Sequence, residues 1–447
     1  MKKTNQYKLV LLLLLTAALA FFACSTSKKG LFAKKTPHEQ YASQIADAGL
    51  NTTTLGRLWF AAAEKALARP LTITLPYRET GYFAAEKPDA AGFIFSARRG
   101  EQVDVQVSIK PQGNYLLFAE LWRSGEPGNK PSLLASADTT SWRLKYEVEK
   151  DGRLLLRLQP ELLRSGEYTV VITTAPTLAF PVPSKAYNRI GSFWGDARDA
   201  GGRKHEGIDI FGKFRTPVVA AANGYVSSTR ENKLGGKVVF LQPDGKDYTL
   251  YYAHLDSQLV REGQRVAKGE LVGLMGNTGN ARNTATHLHF GIYTMGGAVD
   301  PLPFVYSEKP APAAVTAPLE LLQHSVRNKR AASLRRSPEQ AGAVSGKLSS
   351  NQVMQVLAAT GSWYKVALPD TQEGFIESSL VSDETYRSLV LKNTAQVLDA
   401  PDSATAVKAT LPEGSSVNIL GGFGGYQYIR YKTLSGWMKQ STTGGSN

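Results

Sequence analysis

Two stretches decide the reading of this chain, His205-Glu-Gly-Ile-Asp209 and His287-Leu-His289-Phe290, with Tyr251-Tyr-Ala-His254 between them. Four of the six histidines lie in these three stretches. In an extended strand side chains alternate with period two, so residues two or four apart point to one side. His205 and Asp209 are therefore expected on one face, and His287 and His289 likewise. Each motif can aim its polar groups at one point, and together they can enclose a divalent ion. Gly236 to Leu241, Tyr248 to Ala253 and His287 to Ile292 read as strands around the Gly276-Asn-Thr-Gly-Asn280 loop. An antiparallel sheet with the histidines gathered on one face is the expectation.

Catalytic zinc needs three protein ligands and one open position, and a shell of two histidines and a carboxylate is a known catalytic type. Residues 184–306 as a whole resemble the catalytic domain of the lysostaphin-like, LytM-type metallopeptidases. The matching pieces are His205-x-x-x-Asp209, Thr216-Pro-Val, Gly224-Tyr-Val, Tyr252-Ala-His254-Leu, Val266-x-x-Gly269, Gly276-Asn-Thr-Gly279, His287-Leu-His289-Phe and Asp300-Pro301, in the family's order. The resemblance implies one zinc ion per chain on His205, Asp209 and His289. It makes His254 and His287 the catalytic pair that activates water or stabilises the oxyanion, and places Asn280 and Arg282 near substrate. Arg215 stands where the family usually has Gly, and Thr286 where it often has Pro or Gly; neither is a ligand position. His38 and His324, outside any motif, read as surface or hydrogen-bonded structure.

Outward from this region the chain of 447 residues is long enough for about three domains. Lys2, Lys3 and Lys8 precede an uncharged apolar run from Leu9 to Phe22, which is short for a membrane span of about twenty residues. The sole cysteine, Cys24, follows at once. Residues 1–23 resemble a lipoprotein-type signal peptide, although Phe21 and Phe22 replace the usual Leu and small residue. The expectation is a chain lipidated on Cys24, held in the cell envelope at the outer membrane and facing the periplasm. One cysteine offers no disulfide. Residues 24–39 read as a tether.

Thr52-Thr-Thr54 before Leu55, Leu58, Trp59, Ala62, Ala63 and Ala66 predicts a helix with its N-cap. The period then changes to two. Val103, Val105, Val107 and Ile109 alternate with polar residues, as do Trp142, Leu144, Tyr146 and Val148. Residues 40–180 are read as a helix plus a β-sandwich that resembles pre-peptidase domains, and its place just upstream of the peptidase motifs suggests autoinhibition. A Pro/Ala linker covers 307–319. Beyond it the chain repeats itself, because Ala332 to Pro338 aligns with Ala395 to Pro401 at an offset of 63. Residues 320–382 and 383–442 resemble bacterial SH3-like domains. The fold class is thus mostly β and multidomain: a β-sandwich, an antiparallel-sheet LytM-type peptidase domain, then two small SH3-like barrels.

The formal charge of +14 falls by three when residues 1–23 are removed, and still favours anionic envelope polymers. No basic run interleaved with aromatics marks a nucleic-acid site, so none is expected as partner. Three functions compete. A zinc endopeptidase acting on peptidoglycan cross-links accounts for the full ligand set and the envelope signal. A non-catalytic wall-binding activator of other hydrolases would not need that set. A secreted protease for other proteins would not need wall-binding modules.

Overall fold

The structure is a computed structural model that describes residues 34–111, 115–125, 128–183, 190–198, 201–306 and 310–440. The expected signal peptide and Cys24 lie outside them. The chain divides into two units, residues 1–48 and 49–447.

In the first unit a helix spans Pro37–Asp47. Thr36 and Glu39 cap each other's backbone N–H groups at its start, and Pro37 supplies the fixed φ of a first helical residue. The expected tether of 24–39 thus ends in ordered helix. The signal was the Thr36-Pro-His-Glu39 capping box.

The second unit begins with the expected helix, Thr54–Ala68, capped by the Thr53 hydroxyl, which accepts from the Gly56 N–H. Two sheets then enclose a core. One has five strands, with Ala91–Ala97, Gly152–Pro160 and Leu117–Arg123 at its centre. The facing strands run in the order Tyr77–Phe83, Gly166–Pro176, Glu101–Lys110, Arg143–Glu147. Val103, Val105, Val107 and Ile109 all point inward, as their alternation requires. Strand Gly152–Pro160 departs from alternation, being buried on both faces from Leu154 onward. The 54–68 helix covers its outer face. The Trp59 indole donates to the Pro160 carbonyl (2.8 Å), Gln159 donates to the Trp59 carbonyl (2.7 Å), and Arg157 pairs with Glu120.

The motif region folds on a ten-stranded sheet. Strand His287–Thr294 lies between Ile208–Phe211 and Tyr248–Gln258, antiparallel to both. Strand Gly236–Pro243 pairs with Tyr248–Gln258 on its other edge. The register sets Asp209 opposite His289, and His289 opposite Ala253, the neighbour of His254. Burial of Leu288, Phe290, Leu250 and Tyr252 on the core side turns the alternate residues toward the site.

The two repeats have the same strand order. In the first, Val344–Leu348, Ala332–Arg335, Glu373–Glu377, Trp363–Ala367 and Val353–Thr360 are neighbours in turn. In the second the corresponding strands start at Val407, Ala395, Leu434, Tyr426 and Ser416. One junction departs from separate domains on a linker. Strand 353–360 pairs with 77–83, Thr80 against Ala359 and Gly81 against Ala358, so the sandwich sheet continues into the first repeat. Gln323 donates to the Tyr82 carbonyl (2.9 Å) and Lys65 reaches Glu373 (2.5 Å) across the same junction.

Candidate metal centre

Three side chains from separate elements meet at one point. Asp209 comes from strand 208–211, His289 from strand 287–294, and His205 from the segment just before the first of these. His205 Nε2, His289 Nδ1 and Asp209 Oδ1 lie 3.0 Å from one another. Among the described residues this is the group of His, Cys, Asp and Glu side chains able to hold a metal ion. The expectation of one continuous strand from His205 to Asp209 fails, because residues 205–207 are not extended strand. Within this stretch Gly207 lies against strand 287–294, where an added Cβ would sit 2.6 Å from the Phe290 carbonyl oxygen. A Cβ on Gly207 would sit 2.7 Å from His289 Cε1 and 2.8 Å from Nε2, so this position must be glycine for the ring to lie there.

The His205 Nδ1–H donates to the Phe193 carbonyl (2.9 Å), which leaves Nε2 as an acceptor. It then faces a carboxylate oxygen and a second imidazole nitrogen. Such a triangle of acceptors calls for a cation or shared protons. Burial opposes ionisation of Asp209, yet the hydrogen bonds and charges of His205 and His289 hold its carboxyl well below the usual range. Zinc bound at about 2.0–2.1 Å to each of three such donors places them slightly over 3 Å apart. The residues present fit zinc in donor type and spacing.

A second layer fixes these donors, and sequence reasoning missed it. Arg198 Nη2 donates to Asp209 Oδ2 (2.5 Å) and to Ser192 Oγ (2.8 Å). Ser192 Oγ in turn donates to Asp196 Oδ2 (2.8 Å). One carboxylate oxygen of Asp209 thus faces the histidines while the other is held by a guanidinium. The only hint was the crowding of Ser192, Asp196 and Arg198 before the first motif, and no period or spacing ties them to it.

His254 and His287 stand beside the triangle, their rings 4.9 Å apart. The His254 Nδ1–H donates to the Thr278 carbonyl (2.9 Å), and the His287 Nδ1–H to the Ala285 carbonyl (2.8 Å). Each ring keeps Nε2 for the cleft that both line. His254 has a φ of +62°, a left-handed backbone rare outside glycine, and its own N–H donates to Gly235 O (2.7 Å). Burial pushes the His254 pKa down to about 4, and the neighbouring His287 and His289 add to the effect.

The cleft has a volume of about 800 Å³. Tyr251 and Tyr293 form an aromatic wall, and Arg198, Arg203 and Lys204 make one rim basic. Asn280 also lines it, whereas Arg282 is not among the lining residues. Every lining residue falls between Gly191 and Tyr293, so among the described residues the upstream sandwich contributes no side chain to the cleft.

Residues 203–301 match Peptidase family M23, and residues 330–382 match Bacterial SH3 domain. The L-Ala--D-Glu endopeptidase of Bacillus subtilis (strain 168) is 35% identical over 137 residues, covering 28% of this chain and 42% of that protein. The peptidoglycan DD-endopeptidase ShyA of Vibrio cholerae is 38% identical over 96 residues, 22% of each chain. The murein hydrolase activator NlpD of Salmonella dublin is 35% identical over 135 residues, 30% of this chain and 33% of that one. The chain thus spans less than half the length of these relatives. Among solved structures, the catalytic domain of lysostaphin from Staphylococcus simulans is 30% identical, with a TM-score of 0.25, over 27% of this chain and 95% of that one. Between the sandwich and the repeats, the chain carries a peptidase M23 domain of the LytM type, followed by a bacterial SH3 domain.

Proposed function

We propose that this protein is a zinc-dependent endopeptidase that hydrolyses peptide bonds in peptidoglycan cross-links from a position in the cell envelope. The observation that carries this reading is the convergence of His205 Nε2, His289 Nδ1 and Asp209 Oδ1 at 3.0 Å, with two further histidines beside them in an open cleft. His205, Asp209 and His289 would hold the ion. When bound, zinc supplies Lewis acidity that polarises a carbonyl and lowers the pKa of water.

The remaining chemistry belongs to the chain. His254 is neutral at pH 7 and its Nδ1–H is already committed, so Nε2 can accept a proton from the attacking water. The proton held there can return to the leaving amine as the C–N bond breaks. His287, 4.9 Å away between ring centres, is placed to donate to the carbonyl oxygen as charge develops on it when it carries a proton on Nε2. The aromatic wall of Tyr251 and Tyr293 holds the peptide backbone against the site.

The endopeptidase relatives support the substrate class, and the SH3 domain supports retention at the wall. Lipidation at Cys24 and an outer-membrane position facing the periplasm belong to the same reading. So do the division into a 40–180 module, a 184–306 peptidase domain, a 307–319 linker, and repeats at 320–382 and 383–442. The similarity to a murein hydrolase activator favours a second reading, in which the chain binds wall and stimulates other hydrolases.

The test is digestion of purified peptidoglycan by the chain from Ser25, with and without a chelator, read by mass spectrometry of the released fragments. Chelator-sensitive cleavage that His205→Ala abolishes is expected, and the fragments name the bond. Zinc bound in stoichiometric amount without cleavage, together with a His205→Ala chain that still supports cell separation, would favour the activator.

A further inference from the structure

A second concavity lies far from the histidines, where the sandwich meets the first SH3 repeat. It has a volume of about 560 Å³. Tyr77 and Arg78 line it from strand 77–83, Thr316 from the connecting segment, and Pro338 and Trp363 from the repeat. Arg78 is half-buried, and its Nε is fully buried with no hydrogen-bond partner. No ion pair to Arg78 occurs among the described residues. A guanidinium is always charged, and Arg78 lines the groove, so a ligand there meets this charge even though Nε itself is sealed from it. The acceptor that matches its planar fork best is a carboxylate.

The backbone points the same way. Strand 77–83 is paired with 166–176 along its whole length, but with 353–360 only at Thr80 and Gly81. The partner strand turns back at Gly361, whose φ of +52° suits the reversal, and the Gly361 carbonyl accepts from the N–H groups of Thr316 and Ala317 (2.8 and 2.9 Å). The edge at residues 77–79 is left without a ladder partner on that side. An unpaired edge is a template for an extended peptide. The half-buried Trp363 indole beside it offers a flat apolar surface.

We propose that this groove binds a short extended peptide bearing a free carboxylate, with the carboxylate on Arg78 and an apolar side chain against Trp363. The site requires no metal and no cleavage, so it stands apart from the peptidase reading. It is shared between the sandwich and the repeat, beside the two residue pairs that join their sheets. Glu339, which lines the groove and accepts from the Ser337 hydroxyl (3.0 Å), offers a counter-charge for a basic group on the same peptide.

The test uses the full chain from Ser25 and two synthetic tripeptides that differ in one carboxylate, Ac-Ala-photoleucine-Gln with a free C-terminus and the same peptide as its C-terminal amide. Binding is read by calorimetry, and the contact by photo-cross-linking and mass spectrometry. The acidic peptide is expected to bind about tenfold or more tightly than the amide, the scale of a lost charge-assisted hydrogen bond. Its cross-links should fall at residues 338–339 and 360–363. Arg78→Gln should bring the acidic peptide down to the level of the amide, and Arg78→Lys should keep part of the difference. Equal binding of the two peptides, cross-links confined to the cleft around His254, or unchanged binding by Arg78→Gln would each overturn the proposal. If Arg78→Gln fails to fold, the comparison of the two peptides on the unaltered chain decides alone.

Discussion

Arg198 shows how much of the proposed zinc site lies outside the three residues that would hold the ion. Its guanidinium holds Asp209 Oδ2, which keeps Oδ1 turned to His205 and His289. Partners of this kind typically affect metal affinity by about 10–100-fold. Arg198→Ala is therefore expected to weaken zinc binding by about that factor, measured by competition with a chromogenic chelator. Arg198→Lys should recover part of the loss, since a point charge replaces a two-donor fork. Unchanged affinity in Arg198→Ala would reduce the contact to a surface ion pair. His254 yields a prediction in pH. Its pKa is lowered from 6.5 to about 4, chiefly by burial, so the ring stays a neutral base well below pH 6.5. The acid limb of kcat/KM should then lie nearer pH 4–5 than 6.5. A midpoint at 6.5 that His254→Ala leaves in place would remove this residue from the proton transfer. Stability follows the same sign. Between about pH 6.5 and 4 the unfolded chain binds the extra proton, so this residue's contribution to stability falls as pH falls through that window.

At the scale of elements, legibility depended on whether a residue's role was local. The 101–110 strand was readable because its valines need only alternate to reach the core. The repeat was readable because both copies keep the same spacing, with strands at 332, 344, 353 and 363 recurring 63 residues later. Strand 152–160 was half readable. Leu154, Leu156 and Leu158 alternate as an inner face must, but the burial of Leu155, Arg157 and Gln159 depends on a helix about a hundred residues away. The ligand motifs were legible through a family resemblance. The need for glycine at 207 was not, because it answers to the Phe290 carbonyl and the His289 ring on another strand. The pairing of 77–83 with 353–360 could not have been read at all, since only two residue pairs carry it and neither strand is unusual in composition.

For the whole molecule the question is what the sandwich does to the peptidase domain. It packs close by: Lys246 of the peptidase sheet pairs with Glu147 of the sandwich (2.5 Å). Yet among the described residues it lends none to the cleft, so the masking role suggested by its position in the chain has no lining residue to support it. Leu178 and Val182 belong to the core of the peptidase domain. A shortened chain must therefore begin by Thr177, since a later start would remove Leu178 from that core. Such a chain should cleave a small soluble peptide with the same kcat/KM as the longer one. On insoluble wall it should be slower, because it lacks Arg78 and half of the groove that this residue lines. The two substrates separate the possibilities. A faster rate on the soluble peptide would mean that the sandwich hinders the cleft in solution. Equal rates on both substrates would mean that the sandwich contributes nothing to holding the enzyme on its polymer.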